Sequence, residues 1–460
     1  MKYIKTMMLG CAFWIALGVQ AKQPNVIFIL ADDLGIGGLH CYGTDYIETP
    51  HIDRLYEQGM HFSNGLAAYP TCRPSRAALL TGQYGPRTGV YRVKDNYGDE
   101  DKAKYVIPEN HQVSTDKITM GTAFKNAGYT TAMYGKWHIS DIPETHPQEF
   151  FDFDEAFVSG KGHYKAKSSP LVDLPEGMMI EELYTQKAND FMEKAVKEDK
   201  PFFIYMPYFL VHAPAEARQD YIDHFKKQLE GRTLKKGGKK LEVIVAMTKM
   251  LDDFSGRLLA KVEELGIEED TIILFTSDNG SYDYNLTGGF RGRKGDTYDG
   301  GMRVPYIFRW PGMIKPGSAS NERIIGVDVY PTLLGLAGIE LPQDYPLDGV
   351  DLSPILTGKK DVLAKRELFC LYPKYVQFKE NTGRWQFSWR NVIYDGDYKL
   401  IEYPEYDEYE LFNLVDDPKE EKNLANKSPE KRDALTRKLH QWLKDVDAPK
   451  LVPNPDYSLK

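Results

Sequence analysis

Cys72-Arg73-Pro74-Ser75-Arg76 opens a segment that ends at Leu80-Thr81-Gly82. The spacing predicts a helix that starts at the cysteine, with Pro74 in its first turn. A group at such a helix start meets backbone N–H donors and a dipole that favours anions. Arg76, one turn on, is placed to orient Cys72 or to bind a negative ligand. Alone, a cysteine in this setting reads first as a buried structural thiol, the commoner fate of a free cysteine.

Oxygen donors come in two pairs. Asp32-Asp33 follows the apolar run Asn25 to Leu30, and Ser277-Asp278-Asn279-Gly280 follows Thr271 to Thr276. Adjacent carboxylates repel unless a cation neutralises them. Each pair alone is a turn or a cap. Together they form a set suited to a hard cation, Ca²⁺ or Mg²⁺. The chain has no His-Glu-x-x-His and no paired cysteines, so nothing points to zinc.

Cations and histidines occupy comparable places. Lys136 and His138 follow the run Thr130 to Tyr134, and their alternation puts them on one side if that segment is extended. His212 follows Pro201 to Met206, and Lys294 sits in the basic turn Phe290 to Gly295. Singly, each is a satisfied histidine or a solvated lysine. Nearly all of them come just after an apolar run that reads as a parallel strand. In an α/β sheet that is where ligands bind.

The elements that must position these residues alternate along the chain. Strands are expected at 25–30, 130–134, 201–206, 271–276 and 304–310. Helices are expected at 50–58, 119–127, 181–197 and 241–265. Such alternation predicts a parallel sheet covered by helices on both faces. After about residue 360 the pattern changes to aromatic, alternating segments near Trp385–Trp389 and Tyr398–Tyr403, followed by a capped helix at 428–446. This predicts a small α+β subdomain with an antiparallel sheet. The expected division is therefore 1–21, 22–360 and 361–460. Polar stretches at 92–117 and 231–240 read as long loops.

The formal net charge of −9 argues against a nucleic-acid partner. It leaves a small anionic ligand possible, because such a ligand feels the local field. Lys2 and Lys5, the apolar run Met7 to Val19 and the small residues at Ala21 read as a secretory signal peptide. Most of that apolar run lies after Cys11, which argues against a lipid-attachment site there. No later stretch is long and apolar enough to predict a membrane span. Beyond residue 21 only Cys41, Cys72 and Cys370 remain, too few and too odd in number for a disulfide framework.

The full set of motifs resembles the type I sulfatases of the alkaline phosphatase superfamily. Cys72 to Gly82 matches the family signature Cys-x-Pro-Ser-Arg-x-x-x-Leu-Thr-Gly at every fixed position. The likeness extends to Ala31-Asp32-Asp33, Gly135 to His138, His212, Ser277 to Gly280, Arg291 to Lys294, Gly300 to Pro305 and Tyr409 to Ala425. Asp299, where the family often has glutamate, and Ser140, where glycine is common, depart from it.

The resemblance implies a large mixed, mostly parallel sheet sandwiched by helices, with a smaller C-terminal α+β subdomain. It implies that a maturation enzyme converts Cys72 to formylglycine. It further implies that Asp32, Asp33, Asp278, Asn279 and the modified Cys72 hold Ca²⁺, in preference to Mg²⁺. One hydroxyl of the hydrated aldehyde attacks sulfur, and the other lets the aldehyde re-form and release sulfate. Lys136 and Lys294 hold the sulfuryl oxygens, Arg76 stabilises the hydrate, His138 assists its collapse and His212 protonates the leaving alcohol. The expected substrate is a sulfated glycan or oligosaccharide, met in the periplasm or outside the cell. Tyr372, Tyr375, Trp385, Phe387 and Trp389 would stack on sugar rings or form the subdomain's own core. The basic loop 232–240 would meet neighbouring sulfates. The alternatives are a formylglycine-dependent phosphodiesterase or phosphonate monoester hydrolase, and a non-catalytic glycan-binding protein.

Overall fold

The computed structural model describes residues 22–93, 98–140, 146–160, 162–235 and 240–458. The expected signal peptide, and residues 236–239 of the basic loop, lie outside the described residues.

Nine strands form the main sheet. They are β1 (Asn25–Ala31), β2 (Met60–Leu66), β3 (Thr130–Gly135), β4 (Glu155–Gly160), β5 (Lys167–Ser169), β6 (Phe202–Pro207), β7 (Thr271–Ser277), β8 (Tyr306–Arg309) and β9 (Ser318–Ile325). Their spatial order is β5-β4-β3-β6-β1-β7-β8-β2-β9. The run β4-β3-β6-β1-β7 is parallel throughout, whereas β8 is antiparallel to both β7 and β2.

The centre of the sheet explains why its strands are apolar at every position. In β1, Ile27, Ile29 and Ala31 enter one core layer, while Val26, Phe28 and Leu30 enter the other. A strand buried on both faces has no polar side to show. The first layer is closed by the helices Ile180–Lys197 and Leu241–Glu264, and the second by Cys72–Thr81, Met120–Asn126 and Val329–Leu336.

The C-terminal region builds a four-stranded antiparallel sheet from β10 (Glu367–Tyr372), β13 (Arg390–Asp395), β14 (Tyr398–Tyr403) and β15 (Glu408–Asn413), and a two-stranded ribbon from β11 (Val376–Lys379) and β12 (Arg384–Phe387). The helix Pro429–Asp445 covers one face through Leu435 and Leu439. The other face packs Cys370, Tyr372, Val392 and Ile401 against Ala78 of the cysteine helix and against Met302. Among the described residues no helix is long and apolar enough to cross a membrane.

Candidate active site

The four strands whose carboxyl ends were expected to carry chemistry, β3, β6, β1 and β7, are immediate neighbours at the centre of the sheet. Their order places Lys136, His212, Asp32-Asp33 and Asp278-Asn279 side by side. The helix Cys72–Thr81 is buried along its whole length and points its first residue at the same spot.

The contacts join all of these side chains. Arg76 Nε donates to Asp278 Oδ2 at 2.8 Å, and its Nη1 donates to the Lys136 carbonyl at 3.0 Å. Lys136 donates to Asp32 Oδ2. Lys294 donates to Asp33 Oδ2 at 2.6 Å, and Asn279 Nδ2 to Asp33 Oδ1 at 2.8 Å. Cys72 Sγ lies 4.0 Å from Asp33 Oδ1. His212 Nδ1 reaches the Ala213 carbonyl at 2.6 Å, leaving Nε2 on the side of Asp33, 3.8 Å away.

His138 joins the site by a different route from the one its spacing implied. It lies beyond the end of β3 in a left-handed conformation, with φ of 62°. An alternation along one extended segment is therefore not what places it. Its ring lies in the field of Lys136, Arg76 and Asp32, and its buried Nδ1 has no hydrogen-bond partner.

Lys294 is placed by a glycine pair. A side chain at Gly300 would meet the Gly292 carbonyl at 2.4 Å, and one at Gly301 the Asp296 carbonyl at 2.1 Å. The 291–296 loop can lie flat on this turn only because both positions lack a Cβ. The turn is fixed in its turn by Asp299, which meets Arg303, Tyr394 and Lys399, while Lys399 also meets Glu420.

In this site three carboxylates meet three cationic side chains, Arg76, Lys136 and Lys294. Ligand oxygens of Asp32, Asp33 and Asp278 lie within 4.8 Å of one another, all buried. Burial and the neighbouring Asp32 push the Asp278 carboxyl up to about 7. Burial alone would also raise Asp32, but Lys136, His212, Arg76 and Lys294 together hold it well below the usual carboxylate range. Burial pushes the Cys72 thiol up to about 12, so the unmodified side chain is no thiolate at neutral pH. Burial also lowers His212 and, more strongly, His138.

Two buried oxygens in this cluster, Asp32 Oδ1 and Asn279 Oδ1, have no hydrogen-bond partner. An orphaned buried oxygen is costly unless something absent from the polypeptide satisfies it. Oxygen donors of this kind, three of them carboxylates, fit a hard divalent cation.

Sequence reasoning missed two kinds of residue. Phe209 stacks on His212 at 4.9 Å between centroids, and Lys136 Nζ lies 5.1 Å from its ring centre. Its place just past β6 was the available signal. The set Asp299, Lys399 and Glu420 joins positions about a hundred residues apart and carries no local signal. Of the aromatics proposed for sugar stacking, Tyr372, Tyr375, Trp385 and Trp389 are core residues. Phe387 is half-buried and faces Gly295, next to Lys294.

A sheet of this order, with a cysteine helix aimed at an acidic cluster on its carboxyl edge, is the alkaline phosphatase-like fold of sulfatases. The chain belongs to the sulfatase family: the Sulfatase family model matches residues 24–339, and that of the N-sulphoglucosamine sulphohydrolase C-terminal region matches 293–448. It is 31% identical to N-acetylgalactosamine-6-sulfatase of Mus musculus, over 92% of this chain and 86% of that protein. It is 30% identical to a sulfatase of Formosa agariphila, over 93% of this chain and 90% of that one. The crystal structure of Ps i-CgsB superimposes with a TM-score of 0.78 at 26% identity, covering 94% of this chain and 95% of the other. The chain is thus an enzyme of the sulfatase class, a family that typically works with formylglycine and a divalent metal.

Proposed function

We propose that this enzyme removes sulfate from a sulfated carbohydrate, with a formylglycine made from Cys72 as nucleophile. The observation that carries the reading is the convergence on Cys72 of a buried oxygen cluster with unsatisfied atoms and of two lysines, Lys136 and Lys294. The hydrated aldehyde supplies one hydroxyl to attack sulfur and a second whose deprotonation releases sulfate, which a thiol held protonated does not offer.

Asp32, Asp33, Asp278, Asn279 and the modified Cys72 would hold Ca²⁺, whose charge would offset that of the sulfuryl oxygens. The three carboxylates and the three cationic side chains Arg76, Lys136 and Lys294 cancel. A bound divalent ion therefore leaves the site positive toward an anionic ester. Lys136 and Lys294 bind the sulfuryl oxygens. Arg76, fully buried, orients the modified residue. His138, held neutral by burial, accepts the proton when the aldehyde re-forms. His212, in its protonated form, donates from Nε2 to the leaving alcohol while Nδ1 keeps its hydrogen bond to the Ala213 carbonyl.

Cys72 is 1% exposed, so the maturation enzyme must meet the chain before this helix is packed. We also propose the division into a signal peptide at 1–21, a catalytic region at 22–360 and a subdomain at 361–460, and an address in the periplasm or outside the cell.

A glycan substrate is supported by two features beyond the names of the relatives. Phe387 presents an aromatic ring beside the Lys294 loop. A polar cavity of about 1040 Å³, lined among others by Tyr298, Arg384, Arg390, Tyr403 and Tyr406, starts at Arg390, which reaches Asp296 at 3.3 Å. Both border the loop that carries Lys294, which is the support they give to a substrate longer than one sugar. The basic loop is a weaker support: Arg232 is already paired with Asp45 at 2.9 Å. A panel of position-defined sulfated monosaccharides and oligosaccharides, run beside aryl sulfate and aryl phosphate diesters, tests the reading. Turnover of one sulfated sugar above all phosphodiesters is expected. Preference for the phosphodiester would overturn it.

A further inference from the structure

The loop that carries His212 is fastened from behind by a histidine outside the site. His163 and its partner Glu181 are both fully buried. His163 Nδ1 lies 2.6 Å from Glu181 Oε1, and His163 Nε2 lies 3.1 Å from the main-chain carbonyl oxygen of His212. Both partners are acceptors. A neutral imidazole has one N–H and one lone pair, so it would satisfy one partner and oppose the other. Only the imidazolium donates to both. Glu181 supplies the compensating charge where no solvent reaches.

Two further contacts fix the geometry. The His163 main-chain N–H donates to Glu216 at 3.2 Å. Phe209 packs on both rings, 5.1 Å from that of His163 and 4.9 Å from that of His212. The chain therefore leads from Glu181, in the first turn of the helix Ile180–Lys197, through His163 to the peptide unit and the ring of His212.

We infer that His163 is a positioning residue: the His163–Glu181 pair anchors the peptide unit of His212 and so holds its imidazole at the leaving-group oxygen. This rests on the reading of His212 as general acid. A group that protonates the leaving oxygen matters most when that oxygen is a poor leaving group, so the two claims share a signature that a merely structural role does not have.

The test uses the matured enzyme and aryl sulfates running from 4-nitrophenyl to unsubstituted phenyl. For His163→Gln, kcat on phenyl sulfate is expected to fall by about tenfold or more. On 4-nitrophenyl sulfate it should stay within about threefold, with KM little changed. Glu181→Gln keeps the shape of the acceptor but removes the charge that holds the imidazolium, and should show the same trend more weakly. If His163→Gln does not fold, Glu181→Gln decides alone. Equal losses across the series, or no loss, would overturn the positioning role. His212→Ala separates the two claims. If it shows the leaving-group dependence and the other variants do not, only the inference fails. If His212→Ala shows none, the acid assignment fails and takes the inference with it.

Discussion

Two buried clusters of charge lie on either side of the 291–303 segment, and they are built from the same residue types. At Asp299, two acids meet Lys399 and Arg303. Asp299 Oδ1 accepts from Tyr394 and Lys399, its Oδ2 from Arg303, Glu420 Oε2 from the Asp299 main chain, and Glu420 Oε1 faces Lys399 at 2.6 Å. Every carboxylate oxygen lies against a donor or a cation, Glu420 Oε1 through its ion pair with Lys399 alone. At Cys72, three acids meet Arg76, Lys136 and Lys294, yet Asp32 Oδ1 and Asn279 Oδ1 are left over. Burial and charge density alone do not separate structure from function. What separates them is how far the polypeptide satisfies its own buried atoms: each carboxylate oxygen of the first cluster meets a donor or a cation, whereas the second leaves Asp32 Oδ1 and Asn279 Oδ1 with no hydrogen-bond partner.

The largest effect that would break this comparison is removal of a divalent ion. Chelation of the purified enzyme should lower kcat/KM by about a hundredfold or more, and should lower its melting temperature because the ion binds only the folded state. Ca²⁺ should restore both better than Mg²⁺. Full activity after exhaustive chelation, verified by elemental analysis, would mean that the open cluster needs no metal.

Next in size is the contrast between single substitutions. Lys399→Met strands two buried acids and should cost about 3–5 kcal/mol in denaturant unfolding. Asp278→Asn in metal-free protein should cost clearly less than Lys399→Met, because burial and Asp32 already push the carboxyl up and the amide keeps an oxygen for Arg76 Nε. Similar costs for the two would erase the distinction between a closed and an open cluster.

The smallest effect expected is at the rim. Phe387→Ala should raise KM for a sulfated oligosaccharide by about threefold, some 0.7 kcal/mol, and leave aryl sulfates unchanged. An equal change in both would place Phe387 in the support of the Lys294 loop and not on the sugar.

The site was more legible in the sequence than the fold around it. The central strands are apolar at every position because both faces are covered, so the ends of β1 and β7 stood out, and the structure adds only Ala31 and Ser277 to the expected runs. The residues just past those ends were therefore readable. The outer strands were not. β2 (MHFSNGL) and β9 (SASNERII) mix polar and apolar positions because they lie toward the sheet's edge and are partly exposed. His138 lies near Lys136 and Arg76 without the alternation expected of it, because its backbone is left-handed there, which the local sequence does not signal. His163 with Glu181, and Lys399 with Asp299, were invisible because their meaning lies in pairs brought together only by folding. For the aromatic residues after 370 the sequence offered both sugar stacking and a core role, and four of the five are core, as a small subdomain must spend most of its rings on its own interior.

The chemistry of the site turns on what residue 72 becomes. Mass spectrometry of the peptide spanning Cys72, taken from enzyme co-expressed with and without a formylglycine-generating partner, tests it most directly when paired with kcat on an aryl sulfate. The aldehyde fraction should track activity in direct proportion, and Cys72→Ala should fold normally and lose turnover by at least about 10⁴-fold. Full activity in protein whose residue 72 is wholly unmodified cysteine would contradict the account.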